Sequence, residues 1–383
     1  MFININDLKS LSSKLNLAIE KSKINPKASW IELKTTNESI DFKISNYDYF
    51  LEASIKSEEY INDSDMFHVT ILAETFIPLI SKLDVETVNI YEHMNSLMLE
   101  TSTSSYTFPI IKELGVTKTL DFISFECTGK CINDIKSEDL TSVANVNTKG
   151  LLDALFSRDI QKYIYVDENG AITFTENIYI NNFKESYCES FKMLLTVTQA
   201  KLLEVFSNEE NISLSFENKP TFTNISTLTN KVCIESSNIR LILILQDIHT
   251  TNSFPSIKLR TLSENKNQTN VIIDKKSLEK ALNRLMIFDK KFDITVMDYS
   301  KVIFKENELE LVSIKNKNFE KIPYTKSQNT FNHEVIIRFA DLIKQLKAIT
   351  TKEIDISYSM NPAIILNSNV KQLIPTIKLK ENV

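Results

Sequence analysis

Val69 to Leu99 reads VTILAETFIPLISKLDVETVNIYEHMNSLML, and this stretch decides the fold. Val69 and Ile71 alternate as in a half-buried strand, Phe76 and Ile80 stand one helical turn apart, and two alternating runs follow. The spacing predicts strand, helix, strand, strand. The same pattern returns 126 positions later, and again after a further 140. Val69, Leu195 and Val335 match on the first strand, as do Ile71, Val197 and Ile337. On the helix Phe76, Leu202 and Leu342 match, then Ile80, Phe206 and Leu346. The later strands align Val88, Leu214 and Ile354; Ile90, Phe216 and Ile356; and Leu99, Ile225 and Ile365. With 42% of the chain hydrophobic, one column is apolar in all three copies roughly 7% of the time by chance. Seven such columns without an insertion mark an internal triplication.

Working outward, each third is expected to hold a second helix. The first third opens with a strand at Phe2–Ile5 and a helix near Asp7–Ser22, with Leu8, Leu11 and Leu15 on one face and Asn6 or Asp7 as cap. Strands are expected at Trp30–Lys34, Ser39–Ile44 and Phe50–Ile55. The second third is read as strand Ser142–Val146 and helix Thr148–Arg158, the last third as strand Asn270–Ile273 and helix Lys275–Phe288. Leu151 then corresponds to Leu278 and Leu155 to Leu282. Boundaries fall in the polar segments 127–139 and 256–268. Short helices between antiparallel strand runs define an α+β class.

Composition excludes several functions. The 383 residues, 42% hydrophobic and 25% charged, suit two or three ordinary globular domains. No apolar run approaches membrane-spanning length, and MFININDLKSLSSKL lacks the layout of a secretory leader, so a cytoplasmic protein is expected. Cys127 and Cys131 form C-x3-C without a second pair, and with Cys188 and Cys233 they read as free thiols. Four glycines leave no phosphate-cradling loop. His68, His93, His249 and His333 are scattered, Glu58-Glu59 and Glu209-Glu210 read as solvated charge, and no nucleophile or carboxylate constellation recurs. No enzyme, cofactor or metal site is expected.

The net charge of −6 requires any nucleic-acid binder of this composition to gather its cations on one face. The six expected helices carry Lys14, Lys21, Lys82, Lys149, Lys201, Lys276, Lys280, Lys344 and Lys347, several of them opposite the apolar stripe. Taken singly these are solvated faces. Lining one cavity, they become a phosphate-facing surface.

Three two-helix domains in an acidic chain with helix lysines resemble the bacterial DNA polymerase III sliding clamp family, the β subunit, along essentially the whole chain. Two local matches support the resemblance: Phe254-Pro255 followed by Ser256-Ile257-Lys258-Leu259-Arg260, and the terminal Leu373-Ile374-Pro375-Thr376-Ile377-Lys378-Leu379. The resemblance implies tandem clamp domains at 1–128, 138–256 and 268–383, together half of a six-domain ring. It implies a homodimer around duplex DNA, bound without sequence readout, a DNA polymerase partner, a clamp loader, and a nucleoid-associated place in the cytoplasm with no membrane contact. It further implies a partner-peptide pocket at Ile160, Thr175, Ile178, Ile180, Pro255, Leu259, Ile374, Pro375 and Thr376, and a protomer interface of Tyr106 and Phe108 against Ile287 and Phe288.

The chain departs from the family where Asn177-Ile178-Tyr179 replaces a Gly-His-Arg run, where Ile374 and Thr376 replace methionines, and where Ser104-Ser105-Tyr106 replaces arginines. A clamp-fold scaffold that does not close is the competing reading. For pocket and interface residues alike, plain core packing is the alternative.

Overall fold

The structure is a computed structural model. It describes every residue except 21–24, 145–162, 175–177, 186, 221–227, 247, 264–268, 290–298, 315–316, 329–331, 348, 359–362, 369–370 and 377–383.

One element order runs three times. The first pass is β1 (Phe2–Asn4), α1 (Ile5–Asn16), β2 (Trp30–Thr35), β3 (Ser39–Ser45), β4 (Tyr49–Lys56), β5 (His68–Leu72), α2 (Ala73–Lys82), β6 (Thr87–His93), β7 (Ser96–Glu100) and β8 (Ser105–Pro109). A small hairpin of β9 (Lys112–Glu113) and β10 (Val116–Thr117) follows. The second pass is β11 (Cys131–Ile135), α3 (Ser137–Ala144), β12 (Ile164–Asp167), β13 (Gly170–Phe174), β14 (Ile178–Asn182), β15 (Lys192–Leu195), α4 (Val197–Leu202), β16 (Ile212–Pro220), β17 (Leu228–Glu235) and β18 (Ile239–Ile244). After α5 (Ile248–Ser253) and α6 (Ser256–Ser263), the third is β19 (Thr269–Asp274), α7 (Lys275–Asp289), β20 (Tyr299–Phe304), β21 (Glu308–Ser313), β22 (Phe319–Pro323), the short β23 (Lys326–Gln328), β24 (His333–Arg338), α8 (Phe339–Leu346), β25 (Glu353–Tyr358), β26 (Ala363–Asn367) and β27 (Lys371–Pro375).

The apolar columns explain why. Phe76, Leu202 and Leu342 are buried on the second helix of each pass, and Ile80, Phe206 and Leu346 close the same turn. Val88, Leu214 and Ile354 lie buried on the next strand. Two columns depart. Val197 is helical, because Thr196 and Gln199 form a reciprocal capping box that starts α4 early. Ile225 lies outside the described residues.

The second pass also corrects the sequence reading. Ser142–Ala144 belong to α3 and not to a strand, the true strand is β11 inside the expected linker, and Thr148–Arg158 falls outside the described residues. Leu8, Leu140 and Leu278 therefore align, as do Leu11, Val143 and Ala281, all buried. Segment 256–268 likewise contains α6. The cap of α1 is Asn4, whose side chain accepts from the Asn6 N–H at 2.9 Å, and the helix ends at Asn16, short of Ser22.

The chain divides into two compact units: Met1–Asn145 with Lys184–Thr251, and Val146–Phe183 with Asn252–Val383. Unit 1 holds a four-stranded sheet β1-β6-β7-β8 and an eight-stranded sheet β11-β16-β17-β18-β4-β3-β2-β5. The latter is continuous because β18 pairs antiparallel with β4, from Ile239↔Ala53 to Leu243↔Tyr49. Gln199 braces this seam by donating to the carbonyls of Ile244 (2.7 Å) and Asp48 (3.2 Å).

A strap, residues 118–129, crosses the same sheet. The Leu120 N–H donates to Glu32 (2.6 Å) and the Glu126 N–H to Glu217 (2.5 Å), both buried carboxylates, while Lys231 donates to the Ser124 carbonyl (2.8 Å) and pairs with Glu217 (3.0 Å). Phe122 packs edge-on against Phe50 at 5.4 Å, and Phe122, Ile123 and Phe125 cover Cys233. Burial pushes the Cys233 thiol up to about 12. Cys127, Cys131 and Cys188 are exposed free thiols.

Unit 2 holds β12-β13-β14-β27-β26-β25-β19-β23 in one sheet and β22-β21-β20-β24 in another. Its core runs from Leu278, Leu282 and Leu285 on α7 through Leu342 and Leu346 on α8 to Ile356, Ile364 and Ile374 on the sheet. Phe304 and Tyr358 stack within it at 3.8 Å.

Candidate nucleic-acid, partner and protomer surfaces

Two leftover edges follow from the topology. In chain order β18 is the counterpart of β8 and β27, and β4 the counterpart of β14 and β22. β18 pairs with β4, and β27 pairs with β14 through Ile178↔Leu373, Tyr179↔Gln372 and Ile180↔Lys371. One strand of each kind remains: β8 ends the sheet of unit 1, and β22 ends a sheet of unit 2. Beside β22, α7 leaves Ile287 60% and Phe288 51% exposed, and Phe319 adds a third exposed apolar side chain. On β8, Tyr106 is half-buried, but Phe108 is 5% exposed and packs on Phe76 at 5.3 Å. Phe108 is a core residue, which corrects its expected place as a surface anchor.

The helix cations divide by partner. Lys82, Lys201, Lys276, Lys280, Lys344 and Lys347 are exposed, and none joins an ion pair among the described residues. Lys14 differs: its ammonium sits 2.6 Å from Glu209 and is mostly buried, so the free phosphate-facing position expected of it is corrected. Lys21 and Lys149 lie outside the described residues. Helix α7 is capped by Asp274, which accepts from the N–H and hydroxyl of Ser277, both at 2.8 Å. These bonds hold the Asp274 carboxyl below its ordinary value. Arg284 on α7 is engaged in a bidentate pair with Glu320 at 2.7 and 2.8 Å.

The expected peptide pocket is partly core. Ile180, Leu259 and Ile374 are buried, the last inside the unit 2 cluster, whereas Ile178, Pro255 and Thr376 are half-buried. Pro375 ends β27, and Ile160 and Thr175 lie outside the described residues. The seam of β14 with β27 sets Ile178 opposite Leu373 and Ile180 opposite Lys371, while Ile374 pairs with Ile364 on β26. Pro255 and Leu259 are held by their neighbours: Phe254 stacks on Tyr165 at 4.7 Å, and Arg260 reaches Asp167 (2.5 Å) and Asn182 (3.2 Å). Burial raises the Asp167 carboxyl against the pull of Arg260. Ile257, 81% exposed between Pro255 and Leu259, was missed; its offset of two from Leu259, which puts it on another face of the short helix, is its only signal.

Among the described residues no group of three or more His, Cys, Asp or Glu is placed to hold a metal ion, and no helix is long and apolar enough to cross a membrane.

No family model and no curated protein matches this sequence. Solved structures do match, end to end. The β subunit of DNA polymerase from Streptococcus pyogenes aligns with a TM-score of 0.75 at 16% identity, and that of Thermotoga maritima with 0.73 at 12%; each alignment covers 99% of both chains. The Helicobacter pylori β clamp bound to a DNA ligase peptide aligns with 0.68 at 15% identity, again over 99% of both chains. The chain has the fold of the DNA polymerase III β subunit.

Proposed function

We propose that this chain is a DNA sliding clamp, built from three tandem clamp domains and closing as a head-to-tail homodimer into a six-domain ring around duplex DNA. The observation that carries this reading is the end-to-end likeness to β clamps, with 99% of both chains aligned. The free edges of β8 and β22 support closure, since each is the kind of edge that the other's counterparts cover within the chain. Two copies joined β8 to β22 leave no such edge open.

In such a ring the helices face the duplex. Exposed lysines meet phosphates without reading bases, so no register is preferred and the protein slides while remaining topologically linked. The chain performs no chemistry of its own. It tethers a replicative DNA polymerase through a peptide laid against the seam of β14 with β27, flanked by Pro255 and the exposed Ile257. That site takes its support from the peptide-bound Helicobacter pylori relative. A closed ring needs an ATP-driven clamp loader to reach DNA without ends.

The test is retention after loading on nicked circular duplex compared with the same DNA linearised. Retention on circles with loss from linear ends is expected. Equal loss from both, with a species of single-chain mass, leaves only a clamp-fold scaffold that does not close.

A further inference from the structure

The helix lysines are unevenly shared, and their neighbours decide what each is free to do. In unit 2, α7 presents Lys276 and Lys280 one turn apart, and α8 presents Lys344 with Lys347 at its C-cap. The nearby carboxylates are committed to other cations: Glu279 to Lys275 (3.3 Å), Asp341 to Arg338 (2.7 Å) and Glu320 to Arg284 (2.7 Å). Among the described residues none of these four ammonium groups joins an ion pair, with Asp274 an opposing charge beside Lys276, and the two helices that carry them pack together beside a cleft of about 430 Å³ that Lys347 lines with Ile287 and Ile343.

Unit 1 is built the other way. Glu209 neutralises Lys14, and the exposed face of α1 is Asn6, Asp7, Ser10, Ser13 and Asn16. A groove of about 510 Å³ beside it is lined by Ser10, Ser13, Thr141, Ser207 and Asn208 among others. Only Lys82 and Lys201 are exposed and outside ion pairs among the described lysines of α1, α2, α3 and α4.

We infer, resting on the clamp reading above, that one unit grips the duplex and the other lubricates it: Lys276, Lys280, Lys344 and Lys347 carry the phosphate contacts, while the hydroxyl face of α1 and α3 lets the backbone pass. Lysine suits a moving contact, being a compact charge on a flexible stem with no fixed geometry to satisfy. Lys276 and Lys280 are separated by a rise of about 6 Å, while phosphates on one strand recur every 3.4 Å or so, so the pair matches no single register and favours none. Hydroxyls exchange hydrogen bonds with water and release no counterions, so they leave the salt dependence untouched.

The experiment measures binding of a short blunt duplex across a salt series, with retention on nicked circles alongside. The quadruple variant K276Q/K280Q/K344Q/K347Q is compared with K82Q/K201Q. All six side chains are exposed and join no ion pair among the described residues, so thermal melts should match the parent and serve as the folding control. The slope of log K against log salt should fall by about 3–4 in the quadruple variant, at roughly 0.9 per lost phosphate contact, and by less than about 1 in the double. An unchanged slope in the quadruple variant, or an equal fall per lysine in both, overturns the inference. If the parent still stays on circles in that case, the ring survives and only the grip is misplaced. A parent with neither a salt slope nor retention on circles overturns the ring and the grip together.

Discussion

β4 and β8 belong to the two sheets of unit 1, β4 paired on both sides and β8 on one, and they are built differently. β4 reads YFLEASIK with five of eight residues buried, and it is covered by β18, whose sequence IRLILI is almost wholly apolar. β8 reads SYTFP, and the other free edge, β22, reads FEKIP; in each only the fourth residue is buried. The covered pair of β4 and β18 is long and greasy, while the two free edges are short, mostly polar and stopped by proline. Such an edge discourages indiscriminate strand addition, since it offers few ladder positions and no apolar stripe. What it can accept is a partner whose affinity comes from around the strand: Ile287 and Phe288 lie next to β22, and Phe319 stands at its start. The first within-chain seam is paired along its length and strapped; the free edges are suited to a joint that opens more readily.

The largest expected effect breaks the free-edge joint alone. In I287D/F288D two exposed apolar anchors become charges at each of two joints, so the fold should persist while self-association weakens at least about 10,000-fold, by anchor energies of the usual size. Light scattering should then report single-chain mass where the parent reports twice that; a variant still at double mass would place the joint elsewhere.

Next in size is the strapped seam. Glu217→Ala leaves the Lys231 ammonium buried without its carboxylate and the Glu126 N–H without its acceptor, and should cost about 3–5 kcal/mol. A urea melt measures the cost, and hydrogen exchange should show β4 and β18 losing protection first. Loss spread evenly over unit 1 would mean the strap does not hold this seam.

The smallest effect concerns the second seam. Gln372 pairs with Tyr179 across β14 and β27, is fully buried, and finds no hydrogen-bond partner for either end of its amide among the described residues. Gln372→Met keeps the shape and removes the unsatisfied amide, so stability should rise by about 1 kcal/mol. A loss on the same urea melt would show that the amide has a partner after all.

The sequence made the second helix of each pass legible because its apolar residues are spaced for one turn and all three copies keep them: Phe76 and Ile80, Leu202 and Phe206, Leu342 and Leu346 are buried to within a few per cent. The opening of the second pass was illegible for a local reason. β11 carries a bulge between Ile132 and Ile135, with Asp134 in the left-handed region at φ 61°, so both isoleucines are buried although three residues apart. That spacing destroys the alternation by which a strand is recognised, and the eight residues of α3 that follow are too few to show a strong stripe. Among the candidate residues, the burial of Lys14 and Phe108 was illegible because the deciding partner is remote. Glu209 lies 195 residues from Lys14, and Phe108 turns inward because Phe76 is there to receive it. Exposed lysines on α7 and α8 were legible since helical spacing alone separates them from Leu278 and Leu282 on α7 and from Leu342 and Leu346 on α8.

The strap gives the molecule a built-in clock. Cys233 lies beneath Phe122, Ile123 and Phe125, and with its thiolate suppressed by burial it has little chemistry with a thiol reagent while the strap is down. Its rate of modification, counted after the three exposed thiols have been consumed, times how often the first seam breathes, with no label to be introduced and no residue to be changed.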